Sequence, residues 1–306
     1  MLEVEHNHIS SKGCLCTDDT RRCTDFRNSG PLFSPVSRWP LAEASGNHPT
    51  RRENPSRLLQ FLLALVFTQR NFYRTLLRND PDIPKKDTVY RFSASPRYNW
   101  RRLLLMTSVA IAQGLGTLVS PDRDAVFMVD DSLFDRSRSK KVELLARVYD
   151  HVEHVYRKGL RLLMLGWSGG TTFLPAAFSL TSEQATNRLQ PADPRIDKRT
   201  VGYPRRRESC QKSPDVVLQL LGESQAAGLE ARYVLFDSWL AFPRLLRQIV
   251  QDRNLHVVAM VQAMKTVRYT YEGKRYTLKE LYAHVKKRPG KARILAVVAV
   301  PRSGSP

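Results

Sequence analysis

The sequence predicts an α/β fold, in which a mixed sheet with flanking helices is preceded by a helical region. Two observations predict it. From residue 125 onwards, short apolar runs typical of strands alternate with segments of helical spacing. Before residue 120, apolar residues recur at helical spacing in two longer segments. We therefore divide the chain into an irregular leader (1–55), a helical region (56–120) and an α/β domain (121–306).

The helical region contains two predicted helices. The first covers 56–79, with Ser56 as its N-cap and Pro81 and Pro84 ending it. The second runs from about Asn99 to Leu118. Both have an apolar side that needs a partner to pack against.

The α/β domain is predicted from a regular order of elements. They are a strand at 124–132, a hairpin at 161–180, a basic turn-rich loop at 197–212, a helix at 213–228, a strand at 232–238, a helix at 242–254 and a buried strand at 255–263. Strands that alternate with helices in this way, together with one hairpin, indicate a mixed sheet.

The charge balance narrows the class of partner. The 306 residues contain 49 Lys and Arg against 29 Asp and Glu, which gives a net charge of +20 and a pI of about 10.2. Such a balance favours a polyanion, either nucleic acid or an anionic membrane surface. The longest apolar runs, Phe61–Phe67 and Ile294–Val300, are too short to span a bilayer, and the amino terminus lacks the pattern of a signal peptide. We expect a cytoplasmic, nucleoid-associated protein without membrane contact.

The leader holds a weak metal-binding pattern. His6, His8, Cys14, Cys16 and Cys23 lack the paired C-x2-C spacing of a zinc site, so we interpret them as residues of a polar tail.

The segment 85–102 interleaves cations with Tyr90, Phe92, Tyr98 and Trp100. Cations and flat rings suit a DNA backbone and its bases, whereas the simpler alternative is a solvated basic face with core aromatics. We assign the aromatics to the core and the cations to DNA.

Acidic residues follow two of the predicted strands. Asp130 and Asp131 end VFMVDDS, and Asp237 ends VLFDS. Carboxylates at strand ends can converge on Mg²⁺ or Mn²⁺, and two such ions suit phosphodiester chemistry. The alternative, that these acids are N-caps of the helices that follow, stays open. The sequence has neither a phosphate-binding G-x-x-x-x-G-K-[ST] loop nor a G-x-S-x-G nucleophile elbow.

Several of these segments together resemble a known family. VFMVDDS, the hairpin SGGTTFLPAAFSL, DKRTVGYPRR and YVLFDSW follow one another as in bacterial insertion-sequence transposases of the DDE type, and the chain is most similar to the insertion-sequence-four group that includes the Tn-five transposase. The resemblance covers about 55–300. It implies a ribonuclease-H-like catalytic domain, a helical DNA-binding region before it, and double-stranded DNA, as terminal inverted repeats and target, as the partner. A homodimer is compatible with it.

The resemblance also implies site residues. The first catalytic aspartate precedes a Ser or Thr, which is Asp131 here, with Asp130 as the alternative; the second is Asp237. Asp131 and Asp237 would bind Mg²⁺ or Mn²⁺ in a two-metal mechanism. The family's third acid lies in a Y-x2-R-x3-E-x6-K signature, which neither Glu272 nor Glu280 matches. We therefore expect a carboxy-terminally truncated copy that binds DNA without cutting it.

The basic loop supplies the predicted DNA contacts. Its cations lie between the hairpin and the next helix, so they are expected beside the catalytic acids and in contact with the DNA backbone. They are Lys198, Arg199, Arg205, Arg206 and Arg207. A charged loop that contacts only solvent is the alternative.

Overall fold

The computed structural model describes residues 54–77, 83–115, 123–183, 185–261, 263–288 and 298. The chain divides into two compact units, residues 1–83 and 84–306. The boundary between them falls inside the region 56–120 that the sequence treats as one. Within the described residues, no helix has the length and apolar character needed to cross a membrane. The candidate metal ligands of the leader lie outside the described residues.

The first unit contains two helices where the sequence predicts one. Helix α1 spans Pro55–Phe67 and helix α2 spans Phe72–Leu76. The cap of α1 is Asn54, whose side chain accepts a hydrogen bond from the Ser56 amide at 2.9 Å, so Ser56 is not the N-cap. The single predicted helix is wrong because Gln69 adopts a left-handed conformation (φ 52°), which ends α1.

The second unit opens with helices α3 (Lys86–Ser93) and α4 (Trp100–Leu115). The rings of Phe92, Tyr98 and Trp100 pack against one another with centroids 4.9–5.6 Å apart, and Phe92 is buried. The assignment to the core is confirmed for Phe92, whereas Tyr98 and Trp100 are half-buried against it. Tyr90, by contrast, is exposed.

A six-stranded mixed sheet follows. Its strands are β1 (Val126–Asp135), β2 (Ala146–Asp150), β3 (Val155–Ser168), β4 (Phe173–Thr181), β5 (Tyr233–Phe236) and β6 (His256–Ala259). Strands β1, β3 and β4 are antiparallel neighbours, and β5 and β6 run parallel to β1 on its other side, which gives the order β4–β3–β1–β5–β6; β2 pairs with the amino-terminal part of β3. This arrangement confirms the predicted fold class, a ribonuclease-H-like mixed sheet with flanking helices. Strand β2 was not predicted.

The turn between β3 and β4 matches the predicted hairpin. Gly170 takes a positive φ (106°), which L-residues with a side chain rarely adopt, and its amide donates to the Ser168 hydroxyl at 3.1 Å. Gly166 lies opposite the Phe173 ring, which leaves no room for a Cβ atom there. The SGG sequence therefore closes the hairpin.

Helices cover one face of this sheet. They include α6 (Ser213–Ala226) and α7 (Pro243–Arg253), and after β6 the chain forms the strand pair β7 (Tyr269–Tyr271) and β8 (Lys274–Tyr276) and helix α8 (Leu278–His284). The buried core joins α4, α6 and α7 to alternate strand residues, such as Phe127 and Val129 of β1 and Val234 and Phe236 of β5. The intervening residues, including Met128 and Leu235, point to the other face and are half-exposed. We call these the covered and the open face.

The segment 197–212 is not simply a loop. Residues Gly202–Glu208 form helix α5. Its last residue, Glu208, is 4% exposed and forms an ion pair with the equally buried Arg101 of α4. The Ser179 hydroxyl of β4 and the Arg205 guanidinium also donate to Glu208. The helix forms because a buried carboxylate anchors its carboxyl end among these donors.

A second carboxylate extends this network to α6. Arg101 donates to Glu223 at 3.1 Å, and Gln219 donates to both Glu223 and Glu208, at 2.8 and 3.1 Å. The network therefore connects α4, β4, α5 and α6 through paired charges. Burial by itself raises the pKa of Glu208, but the hydrogen bonds from Arg101 and Ser179 and the charges of Arg101 and Arg205 outweigh it and hold the pKa below its usual value.

We expect Glu208→Gln to lower the free energy of unfolding by about 3 kcal/mol, because it leaves Arg101 buried with one carboxylate fewer. The matched variant Glu143→Gln removes the half-exposed partner of Arg206 and should cost about 1 kcal/mol or less. Urea unfolding at pH 7 measures both.

The pH dependence gives a second readout. Since the pKa of Glu208 is lowered in the folded state, its contribution to stability is present above the unfolded pKa of about 4.5 and is lost as the pH falls through the folded value. The difference between wild type and Glu208→Gln should therefore shrink below pH 4. A constant difference down to pH 3 would contradict the ionised network.

Candidate active site

The pairing of β1 with β5 decides which acids lie together. These strands are parallel and in register from Val126 opposite Tyr233 to Val129 opposite Phe236. The next residues in the same register are Asp130 and Asp237, whose backbone is still extended (φ −80°, ψ 178°). Neighbouring strands lie about 4.8 Å apart, and residues in register point to the same face. Asp130 and Asp237 are therefore neighbours on the open face, and both are exposed.

Asp131 points to the covered face instead, because side chains alternate along a strand. Its Oδ2 atom lies 2.5 Å from Nη1 of Arg161 on β3, and both side chains are largely buried, 13% and 11% exposed. Arg161 also approaches Glu183 at 3.5 Å and lies over the Trp239 ring, 5.6 Å from its centroid. The structure therefore places Asp131 in an ion pair, away from Asp237.

Asp237 has a capping role in addition to its place beside Asp130. Its Oδ1 atom accepts a hydrogen bond from the Trp239 amide at 2.6 Å and so caps the short 3-10 turn Ser238–Leu240. Its Oδ2 atom and both carboxylate oxygens of Asp130 make no hydrogen bond to any residue that the structure describes. The N-cap alternative for Asp237 is thus correct for one oxygen, and the other oxygen stays available for a ligand.

The open oxygens of this carboxylate pair are hard donors, which suit Mg²⁺ or Mn²⁺. Among the described residues no group of three or more acidic, histidine or cysteine side chains lies close enough together to hold a metal ion. Glu280 is occupied by the capping box of α8 and by Arg268 at 3.0 Å, and Glu272 lies in the β7–β8 turn, 3.9 Å from His284. Neither glutamate is grouped with the pair.

The ring system beside the pair was not predicted. Trp239 is 39% exposed, and the His151 ring packs on it with centroids 4.1 Å apart. His151 and His154 both lie in the tight turn between β2 and β3 and are exposed. Arg161 and Trp239 carried no recognisable motif in the sequence, because their grouping depends on the pairing of distant strands.

The cations predicted to contact DNA have different environments. Arg205 forms ion pairs with Glu208 at 2.8 Å and with Glu223 at 3.8 Å, and Arg206 forms a two-pronged ion pair with Glu143. Arg199 is 90% exposed and paired with Asp197. Lys198 and Arg207 are exposed and have no ion pair with a described residue. Arg205 and Arg206 thus support the fold through carboxylate partners.

The sequence also matches a known protein family. The model of the DDE superfamily endonuclease family matches residues 41–294, which is most of the chain. The chain belongs to this family. The comparison of the chain with curated protein sequences gave no match.

Two solved structures are similar to this chain at low identity. The Drosophila P element transposase strand transfer complex has 12% identity and a TM-score of 0.35, over 79% of this chain and 50% of that chain. The Mos1 mariner paired end complex with Mn has 11% identity and a TM-score of 0.23, over 74% of this chain and 65% of that chain. The chain thus spans less than two thirds of the length of either.

The two neighbouring acids should respond differently to neutralisation. Asp131→Asn breaks a largely buried ion pair and leaves Arg161 short of a partner, so we expect a loss of about 3 kcal/mol in the free energy of unfolding. Asp130→Asn removes an exposed charge that faces Asp237, so we expect a change within about 0.5 kcal/mol, or a slight gain. Thermal unfolding without added metal measures both. Equal losses for the two variants would contradict the assigned faces.

Proposed function

We propose that this member of the DDE superfamily endonuclease family is the transposase of a DNA insertion sequence of the insertion-sequence-four and Tn-five type. The observation that carries the proposal is the pair Asp130 and Asp237, side by side on the open face, with Asp130 inside β1 and Asp237 directly after β5. In this proposal Asp130, rather than Asp131, is the first catalytic acid, because Asp131 is committed to Arg161.

The chemistry proposed is hydrolysis of a phosphodiester followed by strand transfer. Mg²⁺ or Mn²⁺ bound to Asp130 and Asp237 would supply Lewis acidity and an activated water or 3′-hydroxyl. The chain's own part is to hold the two carboxylates close together on a rigid sheet. The cap on Asp237 contributes to this, because the hydrogen bond from Trp239 restricts the rotation of its side chain.

Double-stranded DNA is the proposed partner. A net charge of +20 favours a polyanion, and phosphate contacts by Lys and Arg are the main source of such affinity. Of the loop cations, we propose Lys198, Arg199 and Arg207 as DNA contacts, since they are exposed. Arg205 and Arg206 are left out of that set because of their ion pairs.

One observation favours a second candidate function. The described residues offer two acids at the site rather than three, and two-metal chemistry needs enough oxygen ligands to hold both ions. The second candidate is therefore a DNA-binding protein without nuclease activity that occupies the element ends or inhibits an active transposase. The two candidates differ in a single measurable property, the cleavage of DNA.

Plasmid nicking distinguishes them. Supercoiled DNA carrying the element ends is incubated with the purified chain and Mn²⁺. The transposase proposal predicts nicks whose rate falls at least about 100-fold in Asp130→Asn and in Asp237→Asn, since each removes a metal ligand. The control Asp252→Asn removes an exposed carboxylate of α7 and should leave the rate unchanged. Wild type that binds the DNA but makes no nicks would establish the second candidate.

A further inference from the structure

Three adjacent strands each present an exposed cation in one row across the sheet. Arg147 of β2 lies directly opposite Lys158 of β3. Arg136 follows the last residue of β1 in the same register, since its amide donates to the Lys158 carbonyl at 2.8 Å. At about 4.8 Å between strands, the row Arg136–Lys158–Arg147 covers about 10 Å. We call it the basic row.

The basic row is unfavourable for folding on its own. Like charges placed directly opposite each other on neighbouring strands destabilise a sheet. None of the three side chains has a carboxylate within 4.0 Å among the described residues. The repulsion between these like charges is relieved when an anion binds across them.

The acids of these strands lie on the opposite face. Arg157 of β3 points away from the basic row, and three carboxylates surround it: Asp135 at 3.5 Å, Asp150 at 3.6 Å and Glu153. The acids of these strands thus gather around Arg157 on one face, and the cations on the other face have no carboxylate partner among the described residues. Positive and negative charges are thus separated between the two faces, which is not expected of a charged surface that contacts only solvent.

More free cations follow the basic row along the chain. The segment after β1 reads RSRSKK, and Arg138, Lys140 and Lys141 are all exposed. The backbone here is held by a turn, in which the Ser139 amide donates to the Arg136 carbonyl at 2.8 Å, and by the Gln190 side chain, which donates to the Lys140 carbonyl at 3.2 Å. These cations therefore project from a fixed segment.

The basic row lies on the open face, the face of the carboxylate pair. Asp130 and Arg136 are six residues apart on one strand, an even number, so their side chains share a face. At about 3.3 Å per residue the separation is about 20 Å, which corresponds to about six base pairs of duplex DNA. One DNA molecule can therefore contact both.

We propose that the basic row, with Arg138, Lys140 and Lys141, binds the phosphate backbone of duplex DNA beside the site of cleavage. This inference rests on the proposed function, and it assigns the main duplex contact to the basic row and the segment after β1 rather than to the loop 197–212. The Tyr149 and Tyr156 rings, 5.2 Å apart between centroids at the next cross-strand position, continue the surface beyond the cations.

The test measures affinity for a fluorescent 30-base-pair duplex, without metal, as a function of salt. In Arg147→Gln/Lys158→Gln the slope of log affinity against log salt should fall by about 1.8, since each lost phosphate contact accounts for about 0.9. The control Lys274→Gln/Arg275→Gln removes the same charge from the exposed β8 strand and should keep the wild-type slope.

A charge reversal separates binding from folding. Arg147→Glu places opposite charges at the cross-strand position with Lys158, so its melting temperature should equal or exceed that of wild type while its duplex affinity falls. If Arg147→Glu binds the duplex as tightly as wild type does, the basic row does not contact DNA. The same conclusion follows if the salt slope falls as much in the control Lys274→Gln/Arg275→Gln as in Arg147→Gln/Lys158→Gln.

The failure of the proposed function has a different signature. Wild type that binds vesicles containing phosphatidylserine but not the duplex would overturn both the basic row and the DNA-directed function. Wild type and Asp130→Asn that bind duplex alike, with the slope lowered only in the hairpin variant, would support the basic row whether or not the chain cuts DNA.

Discussion

The parallel, in-register pairing of β1 and β5 is the constraint on which the candidate site depends. The two strands are separated in the chain by more than 90 residues, and the hairpin, α5 and α6 fill that interval. Because the register aligns Val129 with Phe236, the following aspartates meet on one face. A shift of β1 by one residue would place Asp131 opposite Asp237, but it would also turn every side chain of β1 to the other face.

Burial fixes that register. Phe127, Val129, Val234 and Phe236 are all buried under the helices of the covered face. A one-residue slip of either strand would turn two of these side chains outwards, each worth about 1.5–3 kcal/mol when buried. The core thus determines which acid is free: the residue that shares a face with the buried set is Asp131, and it needs Arg161 as a partner, whereas Asp130 faces solvent.

The cations of this protein differ in their partners. Buried or half-buried cations such as Arg101, Arg161 and Arg206 are paired with carboxylates and hold elements together. Some exposed cations, such as Arg199, also have a carboxylate partner. The exposed cations of the basic row have no carboxylate partner among the described residues, and they lie on the face of the carboxylate pair.

Much of the fold was predictable from the sequence. The SGG hairpin, the helices after it and the strand before Asp237 are found near the predicted bounds, because each has a strong local pattern. The first strand is also found, but it does not end at the two acids and continues to Asp135. Strand β2 was missed because ARVYD is short and lies beside a charged turn. Helix α5 was missed because the carboxylate that anchors it is held by Arg101, 107 residues away in the chain.

The site was only partly predictable. Both Asp130 and Asp131 were recognised, but the choice between them depends on which face the helices cover, and β1 is apolar on both faces up to that point. The loop cations were predicted to contact DNA from charge alone, which does not reveal that Glu143 and Glu208 already bind Arg206 and Arg205. The basic row could not be predicted from the sequence, because its members are brought together only by the pairing of strands.

The most direct test of the carboxylate pair is a Mn²⁺ titration followed by electron paramagnetic resonance. The sharp signal of free Mn²⁺ disappears when the ion binds to the protein. The account predicts weak binding by wild type and by Asp131→Asn, measured where that variant is folded, and loss of binding in both Asp130→Asn and Asp237→Asn. Binding that survives in Asp130→Asn but disappears in Asp131→Asn would contradict the pairing of Asp130 with Asp237.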